Sequence, residues 1–403
     1  MKNLNFPNLR FKANNGDDFP KWDMKFGNEI FQNISDKNHN SDLPILAITQ
    51  EYGAIPRDLI DYKISVTDKS VDSYKVVQKG DFIISLRSFQ GGIEYSEYQG
   101  ICSPAYIILR PIITVDRIFY KYYLKTSKYI THLNRKLEGI RDGKMISYKY
   151  FSDISLPLPS IAEQNKISSF LFLIDSRIQT QKKIIDDLIV VKNSTVKKLF
   201  EEKIKFKNVN FSIWEKKKLN EISKEHLQKN PNNLYTEVFS VSKHKGVINQ
   251  IEHLGRSFSA KEITHYKLVY PGDLVYTKSP TSEFPFGIIK QNRTDRIGVV
   301  SPLYCVFQPQ TFALGYLLHE YFNSAVNTFN YLNPLVQKGA KNTMNINNDT
   351  FLNGAKLLLP MNEDEQNKIY KFLSLIEYKI TLEKELLAQF ENQKKYLLAN
   401  LFV

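Results

Sequence analysis

The sequence predicts an α+β protein. Two globular modules of mixed strand and helix, residues 1–159 and 204–360, are separated by two long helices, 160–203 and 361–403, which pair antiparallel about an internal pseudo-twofold. Three observations predict it. Glu163-Gln164-Asn165-Lys166-Ile167 recurs unchanged as Glu365-Gln366-Asn367-Lys368-Ile369, 202 residues later. An apolar seam of heptad spacing follows each copy. The stretches ahead of the two copies carry the same landmarks in the same order.

The first module opens on Leu9-Arg10-Phe11-Lys12, matched by Ile204-Lys205-Phe206-Lys207 in the second. Trp22 with Glu29-Ile30 returns as Trp214 with Glu221-Ile222; these are the only two tryptophans. Ile45–Ile48, Phe82–Leu86 and Tyr106–Leu109 read as short strands rich in branched and aromatic residues. The run Tyr74–Ile83 aligns without gaps to Tyr266–Val275, and within it Gly80-Asp81 and Gly272-Asp273 mark a turn into the next strand. Ser103-Pro104-Ala105-Tyr106 returns as Ser301-Pro302-Leu303-Tyr304. Phe119–Leu133 and Tyr316–Leu332 have helical spacing. Gly139-Ile140-Arg141 and Phe151 return as Gly339-Ala340-Lys341 and Phe351. Between the aligned runs, Ser85–Cys102 and Thr277–Val300 differ in length and content. Loops that diverge on a phase-locked scaffold are what two different readings of a ligand require.

Each long helix has a start signal: Ser160 with Glu163, and Asn362 with Glu365, have capping-box spacing. The first seam is Ile167, Leu171, Ile174, Ile178, Ile185, Leu188 and Leu199. The second is Ile369, Leu373, Ile376, Ile380, Leu387, Phe390 and Leu401, with Leu397 opposite Thr195. A repeat of 3.5 residues keeps the apolar stripes of two supercoiling helices in contact. Gln181 and Glu383, and Lys192 and Lys394, interrupt both seams at matching places, where polar residues fix register and orientation.

Composition narrows the function. The 55 basic residues outnumber 42 acidic ones, for a net charge of +13 and a pI near 9.3, which favours a polyanionic partner. The unbroken apolar runs are too short to span a membrane, and the N-terminus lacks the apolar core of a signal peptide. Cys102 and Cys305 read as isolated buried thiols of a reducing cytoplasm. There is no dinucleotide or P-loop fingerprint, no zinc motif, and no nucleophile–base pair at readable spacing. The expectation is a chain with no catalytic residues, metal or cofactor of its own.

Basic and polar loop residues are the candidates for contact with double-stranded DNA. In the first module they are Arg87, Ser88 and Gln90, with Arg141 and Lys144. In the second they are Lys278 and Ser279, Lys338, Lys341 and Asn342, and the loop carrying Lys243 and Lys245 around His244. Arg and Gln make paired hydrogen bonds to base edges, whereas Lys mostly meets phosphate. Tyr74, Tyr266 and the tryptophans read as core packing rather than base-stacking platforms. Lys182, Lys183, Lys197 and Lys198 read as the solvated face of the helix pair.

The order of parts, the Leu-Arg-Phe-like start before a tryptophan, the Gly-Asp strand, and Leu156-Pro157-Leu158-Pro159 leading into Glu-Gln resemble the specificity subunits of type I restriction–modification enzymes. The second copy keeps only Leu359-Pro360 of the proline run. The resemblance implies that each module is a target recognition domain reading one half of a split DNA site. The helix pair sets the spacer between the halves. It also implies two docked modification subunits that carry the S-adenosylmethionine chemistry, joined by ATP-driven restriction and translocation subunits. The rival reading is a duplicated coiled-coil interaction scaffold without DNA specificity.

Overall fold

Ser160 and Asn362 start the two long helices, α1 (Ile161–Phe200) and α2 (Glu363–Asn400). The Glu163 amide donates to Ser160 Oγ at 3.3 Å and the Glu365 amide to Asn362 Oδ1 at 3.0 Å. The glutamate side chains do not close the boxes. Glu163, fully buried, takes a two-point bond from Arg10 at 2.8 and 2.9 Å, and Glu365 accepts Trp214 Nε1 at 3.3 Å. A buried carboxylate needs a partner more than an exposed helix end needs a second cap.

The glutamine beside each glutamate completes the clamp. Gln164 donates to the Pro159 carbonyl at 2.8 Å and accepts the Asp116 amide at 2.9 Å. Gln366 donates to the Pro360 carbonyl at 2.8 Å and accepts the Thr311 hydroxyl at 2.6 Å. Asp116 and Thr311 are themselves helix N-caps. The repeated Glu-Gln therefore ties the start of each long helix to the start of a helix in its module.

This computed structural model describes residues 6–39, 42–60, 71–135, 146–204, 214–338 and 344–403. It divides into two units, Met1–Lys183 with Lys384–Val403, and Ile184–Glu383. In the first unit Ile167 and Leu171 are buried with Leu397, Leu401 and Phe402 in a core shared with Trp22, Phe119 and Tyr123. In the second, Ile369 and Leu373 pack with Leu199, Tyr316 and Leu317. Ile178, Ile185 and Ile380 are buried, as are Gln181 and Glu383. Ile174, Leu188, Ile376, Leu387 and Phe390 are half-buried, because two helices alone cannot enclose a seam. The seam lysines meet acids across the pair: Lys394 lies 2.5 Å from Asp175, and Lys192 lies 2.5 Å from Glu377. Adding 202 to Lys192 gives Lys394, and subtracting it from Glu377 gives Asp175. One ion pair is thus made twice with the helices exchanging roles, as an antiparallel pair requires.

Each module is built on a four-stranded antiparallel sheet of the same order. In the first the strands are Phe31–Ile34, Ile107–Pro111, Phe82–Ile84 and Glu94–Tyr95; in the second, Ser223–Glu225, Cys305–Pro309, Leu274–Tyr276 and Ile289–Gln291. A two-stranded pair leads into each long helix: Asp23–Phe26 with Ser155–Leu158, and Trp214–Lys217 with Leu357–Pro360. The Gly-Asp turns coincide, with Gly80 at φ +93° and Gly272 at φ +94°, where a side chain would be strained. The expected single helices are each broken. Arg117–Tyr123 stops before Ser127–Arg135, and Phe312–Asn323 before Ala325–Leu332. Thr126 accepts the Tyr129 amide and Ser324 the Asn327 amide, so each hydroxyl caps a fresh start. Trp22 is buried and Trp214 half-buried, both packed on aromatic rings. Burial pushes both cysteine thiols up to about 12. Among the described residues no helix is long and apolar enough to cross a membrane.

Candidate nucleic-acid interface

In each module a short hairpin meets the loop whose length differs between the copies. The first hairpin, Leu46–Thr49 with Gly53–Pro56, turns through Gln50-Glu51-Tyr52. The second, Phe239–Ser242 with Gly246–Asn249, turns through Lys243-His244-Lys245. Gly53 and Gly246 both have φ +71°, the left-handed conformation needed to bring the chain back into its strand.

At the first tip Gln50 Nε2 donates to the Arg87 carbonyl at 3.3 Å, and its side chain lies against Gly91, where a Cβ would clash. At the second, Lys243 pairs with Glu283 and lies 6.0 Å from the centre of the Phe284 ring. Hairpin tip and divergent loop therefore form one surface in each unit. Glu51 and Tyr52 stand exposed on the first; His244 and Lys245 stand exposed on the second. The scaffold is shared and the hairpin tips are opposite in charge.

The candidate residues separate on this surface. Arg87 and Gln90 are exposed at the ends of the turn Ser88–Gly91. Ser88 is buried, at 1 % exposure, and its hydroxyl accepts the Ser85 amide at 2.9 Å, so it shapes the loop that presents Arg87. Lys278 is placed differently from Arg87. It has φ +57°, is half-buried, and donates to Asn348 Oδ1 at 2.7 Å, with burial pushing its ammonium down. Gly287 sits against its backbone, at a point where an added Cβ would lie 2.9 Å away. Lys278 thus holds the loop in shape, and its neighbour Ser279 is exposed. Lys245 is exposed, and Lys243 is occupied by Glu283. Lys338 lies in a two-residue strand paired with Met344–Asn345. Arg141, Lys144, Lys341 and Asn342 lie outside the described residues.

The Gln50-Glu51-Tyr52 tip has no counterpart among the expected residues. It carries no basic residue, and only its alignment with Lys243-His244-Lys245, at an offset of 193, could have marked it.

Two modules on a duplicated sheet each present a hairpin beside a loop that differs between the copies. Residues 21–190 match the family described as type I restriction modification DNA specificity domain. Two solved structures share the fold. One is the specificity (S) subunit of a type I restriction–modification system from M. genitalium, 14% identical with TM-score 0.51, covering 99% of each chain. The other is described as "Structural basis underlying complex assembly and conformational transition of the type I R-M system", 14% identical with TM-score 0.53, covering 95% of this chain and 98% of that one. No curated protein sequence matches. Residues 21–190 thus resemble that specificity domain, and the chain as a whole shares the fold of the two solved structures.

Proposed function

We propose that each module reads one half of a two-part duplex site and that α1 and α2 set the unread spacer between the halves. The readers are residues 1–159 and 204–360; the helical segments are 160–203 and 361–403. Helices of 40 and 38 residues are each about 57–60 Å long at 1.5 Å per residue. The observation that carries this reading is the recurrence of one hairpin-and-loop surface on one sheet with different side chains at its tip. Exposed Arg87 and Gln90 suit base edges on one half-site, and Lys245 suits phosphate or guanine on the other. The excess of basic over acidic residues supplies the sequence-independent attraction.

The two helix starts are chemically alike, and so offer like surfaces to two modification subunits related by the pseudo-twofold. S-adenosylmethionine and ATP chemistry belong to those subunits and to restriction and translocation subunits. This chain recognises and does not catalyse, in the cytoplasm, where the DNA is. The test is single-molecule methylome sequencing of cells with and without this chain. Loss of adenine methylation at one split motif supports the proposal; an unchanged methylome contradicts it.

A further inference from the structure

The second unit seats its module on the helix pair through a cluster of four charges around the buried Glu320. Lys192 of α1 lies 2.9 Å from Glu320, on the module helix Phe312–Asn323, and 2.5 Å from Glu377 of α2. Arg293, just past the edge strand Ile289–Gln291, pairs with Glu377 through both terminal nitrogens and lies 3.9 Å from Glu320. Its guanidinium also sits over the Tyr316 ring, 4.6 Å from the centroid. Glu320 is 3 % and Lys192 12 % exposed, while Glu377 at 25 % and Arg293 at 31 % close the outer side of the cluster. Two cations and two acids thus tie together α1, α2, a module helix and the edge of the sheet. A forked guanidinium bond is directional, and removing Arg293 leaves the buried Glu320 and Glu377 with one cation between them. Such a joint adds a fixed direction to the apolar packing around it.

The first unit makes the corresponding joint differently. At the offset of 198 that relates Ser103 to Ser301, Tyr122 stands where Glu320 stands. Its hydroxyl donates to Asp175 at 2.8 Å, and Lys394 lies 2.5 Å from the same carboxylate. Beside it opens a cleft of about 850 Å³, bordered by the Gln50–Gly53 tip, Lys125 and Lys182. A Tyr122–Asp175–Lys394 trio with a single ion pair, beside open space, takes the place of the four-charge cluster.

We propose that Lys192, Glu320, Arg293 and Glu377 are positioning residues that lock the second module's orientation on the helix pair, and that this lock restricts recognition to one spacer length. The proposal rests on the two-reader function. One added base pair displaces a half-site by about 3.4 Å and turns it by about 35°. A module on a compliant seat can follow part of that turn, and a module held by the cluster cannot.

The test uses cells carrying the full chain with its methylating partner, and a plasmid library bearing both methylome-defined half-sites at the native spacer and at one and two base pairs shorter and longer. The double variant Arg293→Met/Glu377→Gln keeps the Lys192–Glu320 pair. Its expected effect is a rise of about tenfold in methylation at neighbouring spacers relative to the native one, equivalent to about 1.4 kcal/mol, with half-site bases unchanged. A spacer profile identical to the wild type overturns the proposal, as does a uniform loss at all spacers. If the double variant accumulates no folded protein, Arg293→Lys, which keeps the charge and loses the fork, is judged by the same criterion. A broader profile from Tyr122→Phe than from the second-unit variant overturns the assignment of the lock. A wild-type chain that directs no split motif overturns the two-reader function itself.

Discussion

Asp81 and Asp273 occupy the same position in the two modules and meet different surroundings. Both are fully buried after a left-handed glycine, and both accept a turn amide at 2.8 Å, from Gln78 and Tyr270 respectively. Asp81 also receives a two-point bond from Arg110, at 2.8 and 2.7 Å. The residue matching Arg110 is Gln308, which is exposed, and Asp273 Oδ1 is buried without a partner. Burial raises the Asp273 carboxyl from 3.8 to about 6. A second exchange lies on the opposite side of the same sheet strand. Glu94, facing Ile83, pairs with Lys125, whereas Lys290, facing Val275, bonds Asn323. The turn geometry and strand register repeat while the buried polar partners do not. The difference teaches that backbone requirements define this scaffold, and that the polar groups buried around it vary from copy to copy.

The broadest way to break the comparison is to exchange residues 1–159 with 204–360. Both long helices begin on the same Glu-Gln-Asn-Lys-Ile, so the recognised half-sites should reverse order, read by methylome sequencing. An unaltered motif would remove the two-module account.

The next largest effect concerns the helix starts. Arg10→Ala leaves the fully buried Glu163 unpaired and should cost about 3–5 kcal/mol, whereas Trp214→Phe removes only a 3.3 Å bond to Glu365 and should cost about 1 kcal/mol. Urea unfolding of the two variants, followed by circular dichroism, compares them.

A pH experiment sharpens the Asp81–Asp273 contrast. Because the folded carboxyl of Asp273 is raised, its protonated form is the one the fold favours. Stability of the second unit should therefore fall as pH rises from about 4 to about 6, by ~3 kcal/mol. Asp273→Asn, or Gln308→Arg to supply the missing guanidinium, should remove that loss. Trp22 and Trp214 lie one in each unit, so single-tryptophan variants report the two separately. An equal pH response in both units would contradict the assignment.

The smallest effect separates a reader from a support. Arg87→Ala should relax the first half-site alone, by about 1–3 kcal/mol if the contact is to a base. Lys278→Ala should weaken the second unit by about 1 kcal/mol through its lost bond to Asn348, with base preference kept. Binding to a panel of half-site variants, beside unfolding curves, tells the two apart.

Much of this protein was legible from local pattern. The 3.5-residue period locates the seam that buries Ile167, Leu171, Ile369 and Leu373. Capping spacing starts α1 and α2 at the right residues, and a Gly-Asp pair at one offset marks the same turn twice. These features depend on neighbours a few residues apart, so the sequence alone determines them. Tertiary structure decided the rest. Glu163 meets Arg10 across 153 residues, Lys192 meets Glu320 across 128, and Lys278 meets Asn348 across 70. Exposure decided that Arg87 faces solvent while Ser88, its neighbour, does not. A side chain's partner and its access to solvent are set by which distant elements pack over it, and no periodicity in the chain encodes that.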